Sequence, residues 1–237
     1  MNISGILIDY GGTIDTGGVH WFRVFAEKYA SMGIAVDEAS LRAAYIHAER
    51  QLERHSSSIK DSDTFRTVLQ QKINYQFDYL LEHEQDFRAG KQEQEQLVKA
   101  CDDFARQQVQ KSAKTLALLS EKYPLVLVSN FYGNIQSVIE EYGIIDYFRL
   151  IIESAKVCVR KPNPEIFQIG IKYLNMPAQE ILMIGDSFKN DIAPAQSLGC
   201  KTAWLKGRGW DVEEDTAAEQ TADIIITNIE ELVSILN

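Results

Sequence analysis

Ile6-Leu7-Ile8 is a short unbroken apolar run that stops at Asp9, and Gly11-Gly12 and Gly17-Gly18 follow it. This pattern predicts a buried strand ending in a tight, glycine-rich loop. From about Trp21 to Lys111 the period changes. Apolar residues now recur at spacings of three and four, in Phe22, Phe25, Ala26 and Tyr29, and again in Leu41, Ala44, Tyr45, Ala48 and Leu52. A third set is Phe65, Val68, Leu69, Ile73, Phe77 and Leu80, and a fourth is Leu97, Cys101, Phe104 and Ala105. Each set covers one face of a helix. Asp37 and Asp63 stand where N-caps are expected. With no strand-like run among them, these residues predict a helical bundle whose aromatic stripes form its core.

Strand–helix alternation then resumes. Leu125 to Val128 is apolar and ends at Ser129-Asn130, a helix is predicted from Asn134 to Tyr142, and Leu150 to Ile152 is a further apolar run. Asn163-Pro164 reads as an N-cap followed by proline in the first helical position, opening a helix to about Leu174. Ile181 to Ile184 leads to Gly185-Asp186, Thr202 to Leu205 and Ile224 to Ile226 complete the strands, and Asn228 is placed as the cap of a last helix. Continuous apolar strands alternating with helices predict an α/β fold, a Rossmann-like parallel sheet with helices on both faces. The expected division is a core of residues 1–17 and 112–237, with residues 18–111 as an inserted helical domain.

Composition narrows the classes. The 237 residues carry 24 Lys and Arg against 34 Asp and Glu, a formal charge of −10. That balance argues against nucleic acid or an anionic membrane as partner, since both require basic surface. No apolar run approaches the ~20 residues of a membrane span, and the N-terminus lacks the basic start and apolar stretch of a signal peptide. The three cysteines are far apart and suggest neither a disulfide framework nor a metal site. A cytoplasmic protein, monomer or homodimer, is the expectation. The acidic run Asp211 to Glu219 reads as a solvated connection and Gly207 to Trp210 as a surface loop.

In an open parallel sheet, ligands bind beyond the C-terminal ends of the strands. Three predicted strands end there in Asp9, in Ser129-Asn130 and in Asp186, with Lys161 nearby. Singly, such residues are usually turn or capping residues. Together, two carboxylates, a hydroxyl and a lysine on one rim suit a hard cation such as Mg²⁺ sharing its site with phosphate oxygens.

In this order the segments resemble the four motifs of the haloacid dehalogenase-like (HAD) hydrolase superfamily. The first is Ile6-Leu7-Ile8-Asp9-Tyr10-Gly11-Gly12-Thr13-Ile14-Asp15 and the second Leu127-Val128-Ser129-Asn130. The third is Arg160-Lys161-Pro162-Asn163-Pro164-Glu165-Ile166-Phe167. The fourth runs from Ile184-Gly185-Asp186 through Asp191 to Gly199. The helical insertion is similar to the cap of the C1 subclass. The resemblance implies a phosphatase of small phosphorylated metabolites, with Mg²⁺ as cofactor. It makes Asp9 the nucleophile that forms an aspartyl-phosphate. Ser129, with Asn130 beside it, would meet a phosphoryl oxygen, and Lys161 would bind the phosphoryl and stabilise its developing charge. Asp9, Asp186 and the Gly11 carbonyl would hold the metal, with Asp191 supporting that site or Lys161.

One position departs from the pattern. Phosphatases of this family carry a second aspartate two residues after the nucleophile, as general acid and base, and here that residue is Gly11. General acid–base catalysis contributes about 10²–10⁴-fold, so a sugar phosphate with a poor leaving group is expected to be a poor substrate. An acyl or aryl phosphate suffers less. Asp15 is not expected to substitute, because an acid is common at that place in the family without a catalytic role.

Other members lacking this acid resemble the chain less. Phosphonoacetaldehyde hydrolases use a cap lysine, and nothing singles out Lys28 or Lys60. The 2-haloacid dehalogenases carry a tyrosine at position 11, whereas Tyr10 is one residue early. A regulatory homologue that binds phosphate without turnover is the alternative from another class. His20, Trp21 and Arg23 are candidates for reading the substrate. Other acids and the histidines are expected at the surface.

Overall fold

The computed structural model describes residues 1–210 and 222–236, so the acidic run from Asp211 to Glu219 lies outside the described residues. Six parallel strands form one sheet: β1 (Gly5–Ile8), β2 (Leu125–Ser129), β3 (Phe148–Glu153), β4 (Ile181–Gly185), β5 (Lys201–Leu205) and β6 (Ile224–Ile226). Their spatial order is β3-β2-β1-β4-β5-β6. This is the predicted Rossmann-like sheet, with β1 at its centre and all four of its residues buried.

Side chains alternate across a strand, and the sheet shows this directly. Ile6, Ile8, Leu125, Leu127, Leu182 and Ile184 point to one face and join the larger apolar core. Leu7, Val126, Val128, Ile181 and Met183 point to the other and pack with Ile166 and Phe167. Those last two lie on α7 (Glu165–Leu174), while α5 (Ile135–Glu141) and the end of α4 (Lys91–Ser120) cover the opposite face. Short helices α6 (Ser154–Val157), α8 (Ala193–Ser197) and α9 (Glu231–Ile235) complete the core.

Between β1 and β2 come α1 (Trp21–Ser31), α2 (Glu38–Arg54), α3 (Phe65–His83) and α4. The buried residues of α2 are Leu41, Ala44, Tyr45, Ala48 and Leu52, the stripe read from its periodicity. α4 is unbroken over 30 residues, with Leu97 and Cys101 buried in the helical block and Leu116 and Leu119 packed in the core beneath the sheet.

Caps differ in detail. Asp37 caps α2, its carboxylate accepting from Ser40 N at 3.0 Å. Asp63 is one residue early. Its Oδ2 accepts from Lys60 N in a local turn, and Thr64 caps α3 through Thr67 N at 3.2 Å. Pro164 occupies the residue before α7, with the Asn163 side chain accepting from Glu165 N. Asn228 lies two residues before Glu230, which immediately precedes α9, and accepts from its N–H. At Asp63, Asn163 and Asn228, unlike Asp37, a neighbouring turn claims the side chain that the pattern assigned to the helix.

Gly207 to Trp210, expected as a plain surface loop, is docked on the helical block. Arg208 O accepts from His20 N at 2.9 Å. The Trp210 ring sits 5.1 Å from that of Phe22 and 4.3 Å from the Arg42 guanidinium carbon. Gly207 is required there, because a Cβ on it would fall 1.9 Å from Gly18 O.

Candidate active site

The C-terminal ends of β1, β2 and β4 carry Asp9, Ser129 and Asp186 to one rim, and Lys161 reaches the same place from the loop before α7. Lys161 Nζ lies 2.5 Å from Asp9 Oδ1 and 2.7 Å from Asp191 Oδ1. It also donates to Val128 O at 3.1 Å, so a lysine only 6% exposed has its three protons placed. Asn130 holds this lysine by its backbone. Its Oδ1 accepts from Lys161 N at 2.9 Å, and its Nδ2 donates to Lys161 O at 3.1 Å. Ser129 is buried at the strand end. Asp191 is fixed on its other oxygen by Ser187 N at 3.1 Å. It sits in a π-helical turn, Phe188–Ile192, a widened turn of the kind found at functional sites.

Charge is unevenly balanced. One oxygen from each of Asp9, Asp186 and Asp191 falls within 4.8 Å of the others. Burial, with Asp191 close by, pushes Asp9 up to about 6 against the pull of Lys161. Burial first, then the charges of Asp9 and Asp191, hold Asp186 well above the usual carboxylate range. Burial alone would lower Lys161, but Asp191 and Asp9 together keep its ammonium above its ordinary value. Three acids facing one lysine leave negative charge that a hard divalent cation would neutralise, and all the donors are oxygens. Thr13 Oγ1 stands 3.2 Å from Asp9 Oδ2 and 3.3 Å from Asp186 Oδ1, so its single proton serves one at a time. Gly12 completes the cradle. Its φ is +93°, and a Cβ there would lie 2.3 Å from Asp186 Oδ2. The residues present therefore fit Mg²⁺.

Gly11 is exposed and opens on two cavities. The first, about 560 Å³, lies over Asp9, Ser129, Lys161 and Asp186. The second, about 430 Å³, extends beneath the helical block. A Cβ built on Gly11 meets nothing within 4 Å, so the absent carboxylate is not excluded by crowding.

Asp15 is buried against this loop, Oδ1 accepting from Gly12 N at 2.7 Å and Oδ2 from Trp21 Nε1 at 2.8 Å. Burial pushes it up to about 7 despite those two donors. His20, expected at the surface, lines both cavities and accepts from Phe22 N on Nδ1 at 3.1 Å. Burial holds it down at about 4. Arg23 binds the Gly209 and Trp210 carbonyls and Glu38, away from the carboxylates. Lys28 lies over the Phe104 ring, and Lys60 is exposed.

The sequence gives no sign of the half-buried triad Glu49, Lys72 and Tyr132. Lys72 Nζ lies 2.5 Å from Glu49 Oε1, and Tyr132 OH donates to Glu49 Oε2 at 2.6 Å. Lys72 holds Glu49 ionised despite burial. Its members come from α2, α3 and the loop after β2, a convergence with no local signature.

The haloacid dehalogenase-like hydrolase family model matches residues 3–199, and the chain belongs to that family of hydrolases. It is 35% identical to the glyceraldehyde 3-phosphate phosphatase of Pyrococcus furiosus over 91 residues, 38% of each chain. It is 28% identical over 127 residues to the 5-amino-6-(5-phospho-D-ribitylamino)uracil phosphatase YigB of Escherichia coli, covering 54% of this chain and 52% of that one. The chain thus spans about half or less of the length of these relatives. In fold it is similar to the magnesium-bound HAD hydrolase YfnB of Bacillus subtilis, with TM-score 0.60 and 20% identity over the whole of both chains. Among the described residues no helix is long and apolar enough to cross a membrane.

Proposed function

We propose that the protein is a Mg²⁺-dependent phosphohydrolase of small phosphorylated metabolites that works through an aspartyl-phosphate on Asp9. The carrying observation is the buried Asp9–Lys161–Asp191 chain with Asp186 beside it. The phosphatase names of partial relatives point the same way.

Asp9, the Gly11 carbonyl and Asp186 would hold the cation, which supplies charge neutralisation for phosphoryl oxygens and the nucleophile. Asp9 attacks phosphorus through one carboxylate oxygen, the ester bond breaks, and its electron pair leaves on the departing oxygen. Water then cleaves the acyl phosphate, returning the carboxylate and releasing inorganic phosphate. Lys161 keeps its charge beside Asp9 and meets the charge that builds on the phosphoryl group. Ser129 offers a hydroxyl to a phosphoryl oxygen, Asn130 keeps Lys161 in place beside the phosphoryl group, and Asp191 orients the ammonium. Residues 18–111 act as a cap that closes on the substrate and excludes water.

The test is Mg²⁺-dependent phosphate release from acetyl phosphate and a hexose phosphate, with Asp9→Asn as control. Asp9-dependent release from acetyl phosphate is expected, with weak release from the hexose phosphate. If neither compound yields Asp9-dependent phosphate, the hydrolytic reading fails and a phosphate-binding role replaces it.

A further inference from the structure

The two cavities share Gly11, His20, Asn130, Asp186, Asn190 and Trp210. The second cavity therefore adjoins the space over Asp9. That cavity is faced by the rings of Trp21, Phe25, Tyr45, Phe65, Phe131 and Trp210. Trp21 anchors the set, with ring centroids 5.7 Å from Phe25 and 5.6 Å from Phe65. Such spacings suit offset and edge contacts with a further ring. Three cations also line the wall: Lys72, paired with Glu49, Arg160, paired with Glu53, and Arg50. An apolar cavity of about 150 Å³ holds benzene, so the 430 Å³ found here has room for a substituted ring.

Protonation at the same place is weak. Position 11 offers no side chain, and both Asp15 oxygens are engaged by N–H donors. His20 Nδ1 accepts a backbone N–H, which puts its proton on Nε2. That neutral imidazole donates a hydrogen bond and has no readily lost proton. A leaving oxygen must depart nearly unaided. A phenol, with a pKa of about 10, does so far more readily than an alcohol close to water's roughly 16.

From the aromatic cavity and the missing acid together, we propose that the substrates are aryl phosphate monoesters, the ring seated among Trp21, Phe65 and Tyr45 and the phosphorus over Asp9. This rests on the phosphohydrolase reading. The bond from Asp9 to phosphorus forms as the bond to the aryl oxygen breaks. The electron pair departs as a phenolate, which takes its proton from solvent, and water releases phosphate from Asp9.

The experiment measures phosphate release by the full chain with saturating Mg²⁺ from phenyl, cyclohexyl, benzyl and acetyl phosphate. Phenyl phosphate is expected to exceed cyclohexyl phosphate in kcat/KM by about 100-fold. Benzyl phosphate, with a ring but an alkoxide leaving group, should match its KM and fall in kcat. Phe65→Leu should reduce kcat/KM for phenyl phosphate about tenfold more than for acetyl phosphate. Equal rates for phenyl and cyclohexyl phosphate, with Asp9-dependent acetyl phosphate turnover intact, would overturn the aryl assignment alone. An equal loss on all compounds in Phe65→Leu would also count against it. No Asp9-dependent release from any compound, acetyl phosphate included, would overturn the hydrolytic reading and this inference with it.

Discussion

The Trp21 indole N–H donates to Asp15 Oδ2 at 2.8 Å, tying the first helix of the helical block to the loop that carries Asp9 and Gly11. The same carboxylate accepts from Gly12 N, so the loop and the first turn of α1 are held by one buried group. Trp21→Phe keeps the ring and removes the donor. Above the pH of about 7 at which Asp15 ionises, a hydrogen bond to a charged partner contributes roughly 1.5–3 kcal/mol, and a loss of that order is expected in denaturant unfolding there. An unchanged midpoint would show that this contact does not support the loop.

Stability of the metal-free protein should fall with rising pH. Asp15 titrates near the ordinary aspartate value of 3.8 when unfolded and at about 7 when folded. The folded state therefore binds the extra proton, and its stabilisation is complete below the lower value and lost as pH passes the upper one. Thermal melts in EDTA between these limits should decline with pH, and Asp15→Asn should flatten the decline. A rising profile in the wild type would contradict the buried, raised carboxylate.

Mg²⁺ should raise the melting temperature more at pH ~8 than at pH ~5.5, because protons compete for the same oxygens. Burial holds Asp9 at about 6 in the metal-free state, inside that range. Asp186→Asn should abolish the Mg²⁺-induced rise. Gly12→Ala should do the same by driving a methyl into the Asp186 carboxylate, since its Cβ would fall 2.3 Å from Oδ2. A full Mg²⁺ response in either variant would remove Asp186 from the metal site.

Lys161→Met leaves Asp9 and Asp191 buried without their shared cation. Removing one partner of a buried pair costs ~3–5 kcal/mol. Lower pH should recover part of this loss by protonating the acids, a rescue that simple loss of packing would not show. Calorimetry of the variant across pH measures both.

Gly11→Asp places a carboxylate where a Cβ meets nothing within 4 Å. If the missing acid limits turnover, the variant should speed release from an alkyl phosphate by ~10²-fold or more. The gain on an acyl phosphate should be small. Equal effects on both substrates would show that protonation of the leaving group is not the limiting step.

Much of the fold was legible from periodicity alone. An apolar run with no polar alternation is buried on both faces, and that pattern marks β1, β2 and β4 as strands of a parallel sheet, as they are. The stripe from Leu41 to Leu52 placed α2 for the same reason, since helical spacing and burial share one geometry. Caps were less legible. Asp63 and Thr64 both suit an N-cap, and the turn that engages Asp63 decided between them.

Asp9 and Asp186 were marked by their position at strand ends, Lys161 and Asp191 by their place in motifs that resemble the family's, and the sequence alone also exposed Gly11 as the departure. Only the tertiary structure decided that Lys161 bridges two carboxylates, that Asn130 grips that lysine by its backbone, and that Trp210 swings from the core into the helical block. The aromatic cavity and the Glu49–Lys72–Tyr132 triad belong to this second kind. Local patterns report the repeat of a helix or a strand, which neighbouring residues determine among themselves. Contacts between elements far apart in the chain depend on sheet order and on how helices pack, and no short stretch of sequence carries that information.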